Sequence, residues 1–242
     1  MEEVDQRVED ICAKRKNLHF LNERSVVVGG IRWAGCTLWT QFPEGDEELA
    51  SQLQYMANDF RKIKKWWDGT EGGEGKEVVN GVRQKRLFVV DDWKNLHHRH
   101  RNFLENEIKL AQEEPEIPLV ILTHHAPTFI HTIQKGEKGG HKCLSASNLE
   151  KMFGGPVKVW AFGHTHRTSD QVQLGTRLVS NQFGYCTTRA GYGRNDIIDK
   201  DFSEDFVVDI DFDPERIRMY RRGWEGHGSD DEEEGCAGYG RN

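Results

Sequence analysis

Along the chain the spacing of apolar positions changes several times, and each change predicts a different element. In "EVDQRVEDICAKRK" (3–16), Val4, Val8, Ile11 and Cys12 recur on one helical face and basic residues close the stretch. An amphipathic helix ending in positive charge suits the macrodipole. "LHFLN" (18–22) and "SVVVGGIRWAGCTLWT" (25–40) read instead as short strands. Val26 to Val28 is a β-branched run, Gly29-Gly30 a turn, and Ile31 to Trp39 a second strand. Helical spacing returns over 46–67, through Leu49, Leu53, Met56, Phe60 and Ile63. It returns again from about 92 to 112, with Phe103, Leu104, Ile108 and Leu110 as core positions.

The second half has a plainer rhythm. "IPLVILTHHAP" (117–127) is an apolar run that stops at a histidine pair, and such a run predicts a strand buried on both faces. "NLEKMFGG" (148–155) reads as a short helix closed by glycines. "VKVWAFGHTHR" (157–167) is a second buried strand, stopping at glycine and two histidines. "TRLVSNQFGY" (176–185) and "FVVDIDF" (206–212) are further strands. Strands alternating with helices indicate an α/β fold. "DGTEGGEGKEVVNG" (68–81) is a glycine-rich acidic loop, and 224–242 an acidic, glycine-rich tail expected to be disordered. The tail ends by repeating "AGYGRN" of 190–195, for which there is no physical account.

Composition narrows the function classes. A chain of 242 residues suits one domain with a substantial core. Its net charge of −7 argues against nucleic acid as a partner, although "SDDEEEG" carries much of that charge and leaves the rest nearer neutrality. No apolar stretch approaches a bilayer span, and the acidic first residues lack the basic-then-apolar pattern of a signal peptide, so the expected location is the cytoplasm, away from membranes. Five scattered cysteines, at 12, 36, 143, 186 and 236, form no CxxC pair and are expected as reduced thiols.

Two successive strands ending in histidine carry the chemistry. In open α/β sheets, ligands gather beyond the carboxyl ends of the strands. Neutral imidazoles there suit Zn, Fe, Mn or Co. Gly163, before His164, is expected to permit close backbone approach. "LHHRH" (96–100) also contains His-x-His, but lies in a polar helical stretch and reads as surface, or as support behind a site.

"VILTHHAP" followed by "VWAFGHTH" resembles the calcineurin-like metallophosphoesterases, and "NLHFLN", "GIRWAGCTLWT" and "MANDFRKIKKW" look like one soluble branch of that family. The likeness spans roughly 1–223. The metallo-β-lactamases fit worse, because Thr168 and Ser169 stand where they carry Asp-His. The resemblance implies a four-layer α/β/β/α sandwich holding a dinuclear pair of divalent ions (Mn, Fe or Zn). Metal-bound hydroxide would attack a phosphomonoester or phosphodiester substrate. It implies His124, His164 and His166 as metal ligands, His125 beside them or facing substrate, and Arg167 as a possible phosphate contact. Asn181 and Tyr185 match a family segment without an assigned role. The family's Asp-x-His and Gly-Asn-His motifs do not occur in these residues, and the Gly-Asp at 45–46 precedes a helix instead of following a buried strand. The chain thus corresponds to the family's C-terminal portion, with the N-terminal strands absent. Three neutral ligands poorly screen two divalent ions, so the chain alone is expected to be inactive. The alternative is a non-catalytic metal-binding or partner-binding remnant.

Overall fold

The computed structural model describes residues 2–42, 45–67, 84–133, 142–184 and 201–211. Helix α1 (Glu2–Cys12) leads into the hairpin β1 (Arg24–Val28) and β2 (Ile31–Cys36). Then come α2 (Glu47–Met56), α3 (Asp59–Lys62), the ribbon strands β3 (Lys64–Trp67) and β4 (Gln84–Leu87), and the long α4 (Val90–Glu113). β5 (Leu119–Thr123), α5 (Lys142–Ser145), a 3₁₀ turn at Glu150–Met152, β6 (Val157–Ala161), β7 (Ser169–Gln173) and β8 (Thr176–Ser180) complete the order.

Six strands form one mixed sheet in the order β1-β2-β5-β6-β8-β7, and β3 and β4 pair separately. β2, β5, β6 and β8 run parallel, while β1 and β7 add antiparallel edges. The fold is therefore α/β, as the pattern predicts. The central strands alternate their burial between two faces. Leu119, Ile121, Val157, Trp160 and Leu178 meet Leu104 and Ala111 of α4 on one face. Val120, Val159 and Val179 form the core of the other, with Phe206, Val208 and Ile210 against them. Burying both faces is what makes β5 a continuous apolar run and leaves Lys158 as the one exposed polar position in β6.

Several sequence expectations need correction. Residues 18–22 are not a strand. β2 stops at Cys36 because Leu38 and Trp39 adopt left-handed backbone, with φ of 71° and 53°. The helical stretch over 46–67 breaks twice, where Ala57 and Ile63 turn extended, and its end becomes β3. Asp46, the aspartate of the lone Gly-Asp, is the N-cap of α2, accepting from Leu49 N at 2.9 Å. The polar strand β7 falls in a stretch for which the pattern predicts no element. Residues 206–211 are extended but belong to no strand, and 212 lies outside the described residues. Val4 and Ile11, expected on the packed face of α1, are 60% and 56% exposed, and Leu110 is 45% exposed.

Cys12 and Cys36 are free, and burial raises the Cys36 thiol to about 12. Cys143 is disulfide-bonded, which corrects the expectation of reduced thiols, since spacing along the chain says little about proximity in space. No helix among the described residues is long and apolar enough to cross a membrane. The loop at 68–81 and the tail at 224–242 lie outside the described residues.

Candidate metal centre

The ends of β5 and β6 are tied together before either reaches a histidine. β5 and β6 pair in register up to Leu122 and Ala161, and Gly163 N then donates to His124 O at 3.0 Å. A Cβ built on Gly163 would meet His124 O at 3.6 Å and Nδ1 at 3.7 Å, which is ordinary contact. The glycine is therefore not needed sterically, contrary to expectation. The unusual backbone lies one residue later. His164 has φ 68° and His166 φ 51°, left-handed values that cost a non-glycine residue free energy and must be held by their surroundings.

Gln182 is the holder, and sequence reasoning gave it no role. Its Oε1 accepts from His166 N at 2.7 Å. Its Nε2 donates to Ser180 Oγ at 2.6 Å and Thr165 Oγ1 at 2.9 Å, while its own N donates to Thr168 Oγ1 at 3.2 Å. One amide thus grips residues 165–168 from the end of β8. Nothing in the local pattern of "SNQFGY" could reveal this, because every partner but one is more than a dozen residues away.

His124, His125 and His164 converge, with one candidate ligand atom of each lying within 4.8 Å of the others. Two nitrogens sharing an ion at about 2.1 Å stand at most about 4.2 Å apart, so rotamer-scale movement suffices to close the set. His164 Nδ1 lies 3.0 Å from His124 Nε2. His125 is 3% exposed, and its Nδ1 donates to Thr37 O at 3.2 Å. A carbonyl only accepts, so Nδ1 carries the proton and Nε2 offers its lone pair. A backbone carbonyl fixing the tautomer in this way is the usual support of a ligating histidine. His125 therefore joins the cluster itself, closer in than the resemblance implies. Its ring stacks on Trp39 at 5.7 Å, and Trp93 meets it edge-on at 5.8 Å.

Electrostatics keep these rings neutral. Desolvation lowers His164 to about 4, assisted by the neighbouring charges of His124 and His166 and opposed by a hydrogen bond to Leu144's backbone. Desolvation also holds His125 well below its ordinary value, with His164 and His124 adding to it. His124, the solvent-facing member, is lowered by desolvation against the opposing charge of Asp59. Unprotonated imidazole is the ligating form, and three such donors suit one borderline transition ion. No carboxylate belongs to the cluster among the described residues.

The other candidates lie around it. His166 stands outside the three-ring cluster, near enough for its charge to act on His124 and His164. Arg167 Nη1 donates to Ile133 O at 2.5 Å, a backbone contact that fastens the loop. Asn181 exchanges two hydrogen bonds with Ser203, at 2.7 and 3.0 Å, and so clamps the segment beyond β8. Tyr185 lies outside the described residues. In "LHHRH", expected at the surface or as support behind a site, only His98 of the three histidines is at the surface, while His97 and His100 are each 2% exposed.

No family model and no solved structure matches the chain. An uncharacterized protein of Acanthamoeba polyphaga mimivirus is similar to it, 25% identical over 209 residues, which cover 83% of this chain and 67% of the relative.

Proposed function

We propose that the strand-end histidines hold one divalent metal ion in a site of the calcineurin-like phosphoesterase kind, on a phosphomonoester or phosphodiester substrate. The observation that carries this reading is the convergence of His124, His125 and His164 as neutral rings beyond parallel strands. The family resemblance supplies the reaction class, and with it the four-layer sandwich and a second ion held partly by His166. An ion there would lend Lewis acidity toward a phosphoryl oxygen. His125 would present Nε2 with its tautomer fixed by Thr37. Trp39 and Trp93 would exclude water from its far side.

The same cluster argues that hydrolysis by these 242 residues is negligible. With no carboxylate in the cluster among the described residues, its donors leave a second ion's charge unscreened. Metal analysis of purified protein loaded with Zn²⁺ or Mn²⁺ tests both parts, alongside assays with p-nitrophenyl phosphate and its diester. One ion per chain with background hydrolysis is expected. Absence of bound metal at micromolar ion would sink the metal reading. Turnover abolished by His164→Ala would sink the claim of inactivity.

A further inference from the structure

The segment 37–42 separates two sets of histidines. Thr37 O faces His125, and the next carbonyl, Leu38 O, accepts from His97 Nδ1 at 3.2 Å. The proton of His97 is thereby placed on Nδ1, and Nε2 is left as an acceptor. That Nε2 is buried without a hydrogen-bond partner, on a residue 2% exposed. Buried acceptors without donors are rare enough to need a reason.

His97 also lines a small open cleft of about 60 Å³, together with Gln41, Phe42, Lys94, His98 and Arg101. Lys94, His98 and Arg101 recur along one face of α4, at the spacing that stacks side chains turn upon turn. No carboxylate is among the described lining residues. Glu105, which accepts from Arg101 Nε at 3.2 Å, does not line the cleft. The volume holds on the order of four waters, or one tetrahedral oxyanion.

We propose that this cleft binds a monoprotonated phosphate group, with Lys94 and Arg101 on its charged oxygens and its P–OH donating to His97 Nε2. Sulfate, fully ionised at neutral pH, has no proton to offer that nitrogen. Burial lowers His97 to about 4, and the nearby charges of His98 and Arg101 act the same way, so the ring remains an acceptor at pH 7. This inference uses other residues than the metal reading and stands without it.

The test is calorimetry on the chelator-treated full chain at pH 7, with inorganic phosphate, phosphoserine and sulfate. At least one of the two phosphates should bind tenfold or more tighter than sulfate. The tighter one assigns the source as free ion or terminal phosphomonoester. Lys94→Ala and Arg101→Ala should each weaken binding at least fivefold while leaving the unfolding midpoint in place, and His164→Ala should leave binding intact. In long-range ¹H–¹⁵N spectra, His97 Nε2 should shift with phosphate and stay put with sulfate. Equal affinity for phosphate and sulfate, no binding, or an unmoved Nε2 resonance would overturn the proposal and leave a water in the cleft.

Discussion

Two stretches of this chain carry nearly the same letters and lead to different chemistry. "HHRH" on α4 and "HH" with "HTH" at the ends of β5 and β6 each hold adjacent histidines and a His-x-His. On the helix, each residue turns about 100° from the last, so His97 and His100 enter the core three residues apart while His98 points outward. No nitrogen triplet forms there among the described residues. At the strand ends, the chain turns away from two hydrogen-bonded neighbours at once, and side chains 40 residues apart meet at 3.0 Å. Convergence comes from the parallel pairing of β5 with β6, and the number of histidines is secondary.

Acid should produce the largest effect, and metal added under acid should separate the two groups. The unfolded chain carries histidine near its ordinary value, whereas the fold lowers His97 and His100 to about 4, chiefly by desolvation. Between roughly pH 6.5 and 4 the unfolded state therefore binds more protons, and stability falls as pH falls. Each ring should contribute a loss on the order of 3 kcal/mol across that window. Urea unfolding at stepped pH measures this. His100→Leu should flatten the curve by about one ring's share. Added Zn²⁺ should protect against acid through the strand-end rings and leave the helix contribution unchanged. Protection that vanished in His100→Leu would mean that the two groups are one.

Metal affinity tests the same contrast. Removal of a support residue around a ligand typically costs ten- to a hundredfold, and loss of a ligand itself should exceed about a hundredfold. Co²⁺ titration followed by its visible spectrum should show that loss for His164→Ala and for His125→Ala. His98→Ala should stay within about twofold of the parent. A comparable loss for His98→Ala would remove the distinction between strand-end and helical histidines.

How much of this was legible in the letters depended on what each element buries. β5 and β6 announce themselves because both their faces are covered, and a run such as "LVIL" has few other uses. β7, "SDQVQ", is a polar edge strand paired only to β8 and carries no run to notice. The break between α2 and β3 is hidden because Leu53, Phe60 and Ile63 keep helical spacing across it, even though all three serve one aromatic core around Trp93. His124 and His164 could be singled out from strand ends alone. The place of His125 in the cluster could not, because it depends on Thr37 O and on the ring of Trp39, 88 and 86 positions earlier in the chain.

Gln182 and Gly163 give the smaller tests, and they decide what holds the turn. Gln182→Ala removes the three side-chain hydrogen bonds that fasten 165–168, with His166 N, Thr165 Oγ1 and Arg167 O, while touching none of the clustered rings. With that grip loosened, His164 and His166 should hold their left-handed backbone less firmly, and metal affinity should fall about ten- to a hundredfold. Gly163→Ala should do far less. Its new methyl would lie in ordinary contact with His124, and its backbone is not among the left-handed glycines. Stability should move by under about 0.5 kcal/mol, and metal affinity by less than about threefold. Thermal unfolding and Co²⁺ titration of the two variants side by side settle the order. A tenfold loss in Gly163→Ala would return the turn to the glycine. The expected ranking leaves it with the amide of Gln182, reaching back from the end of β8.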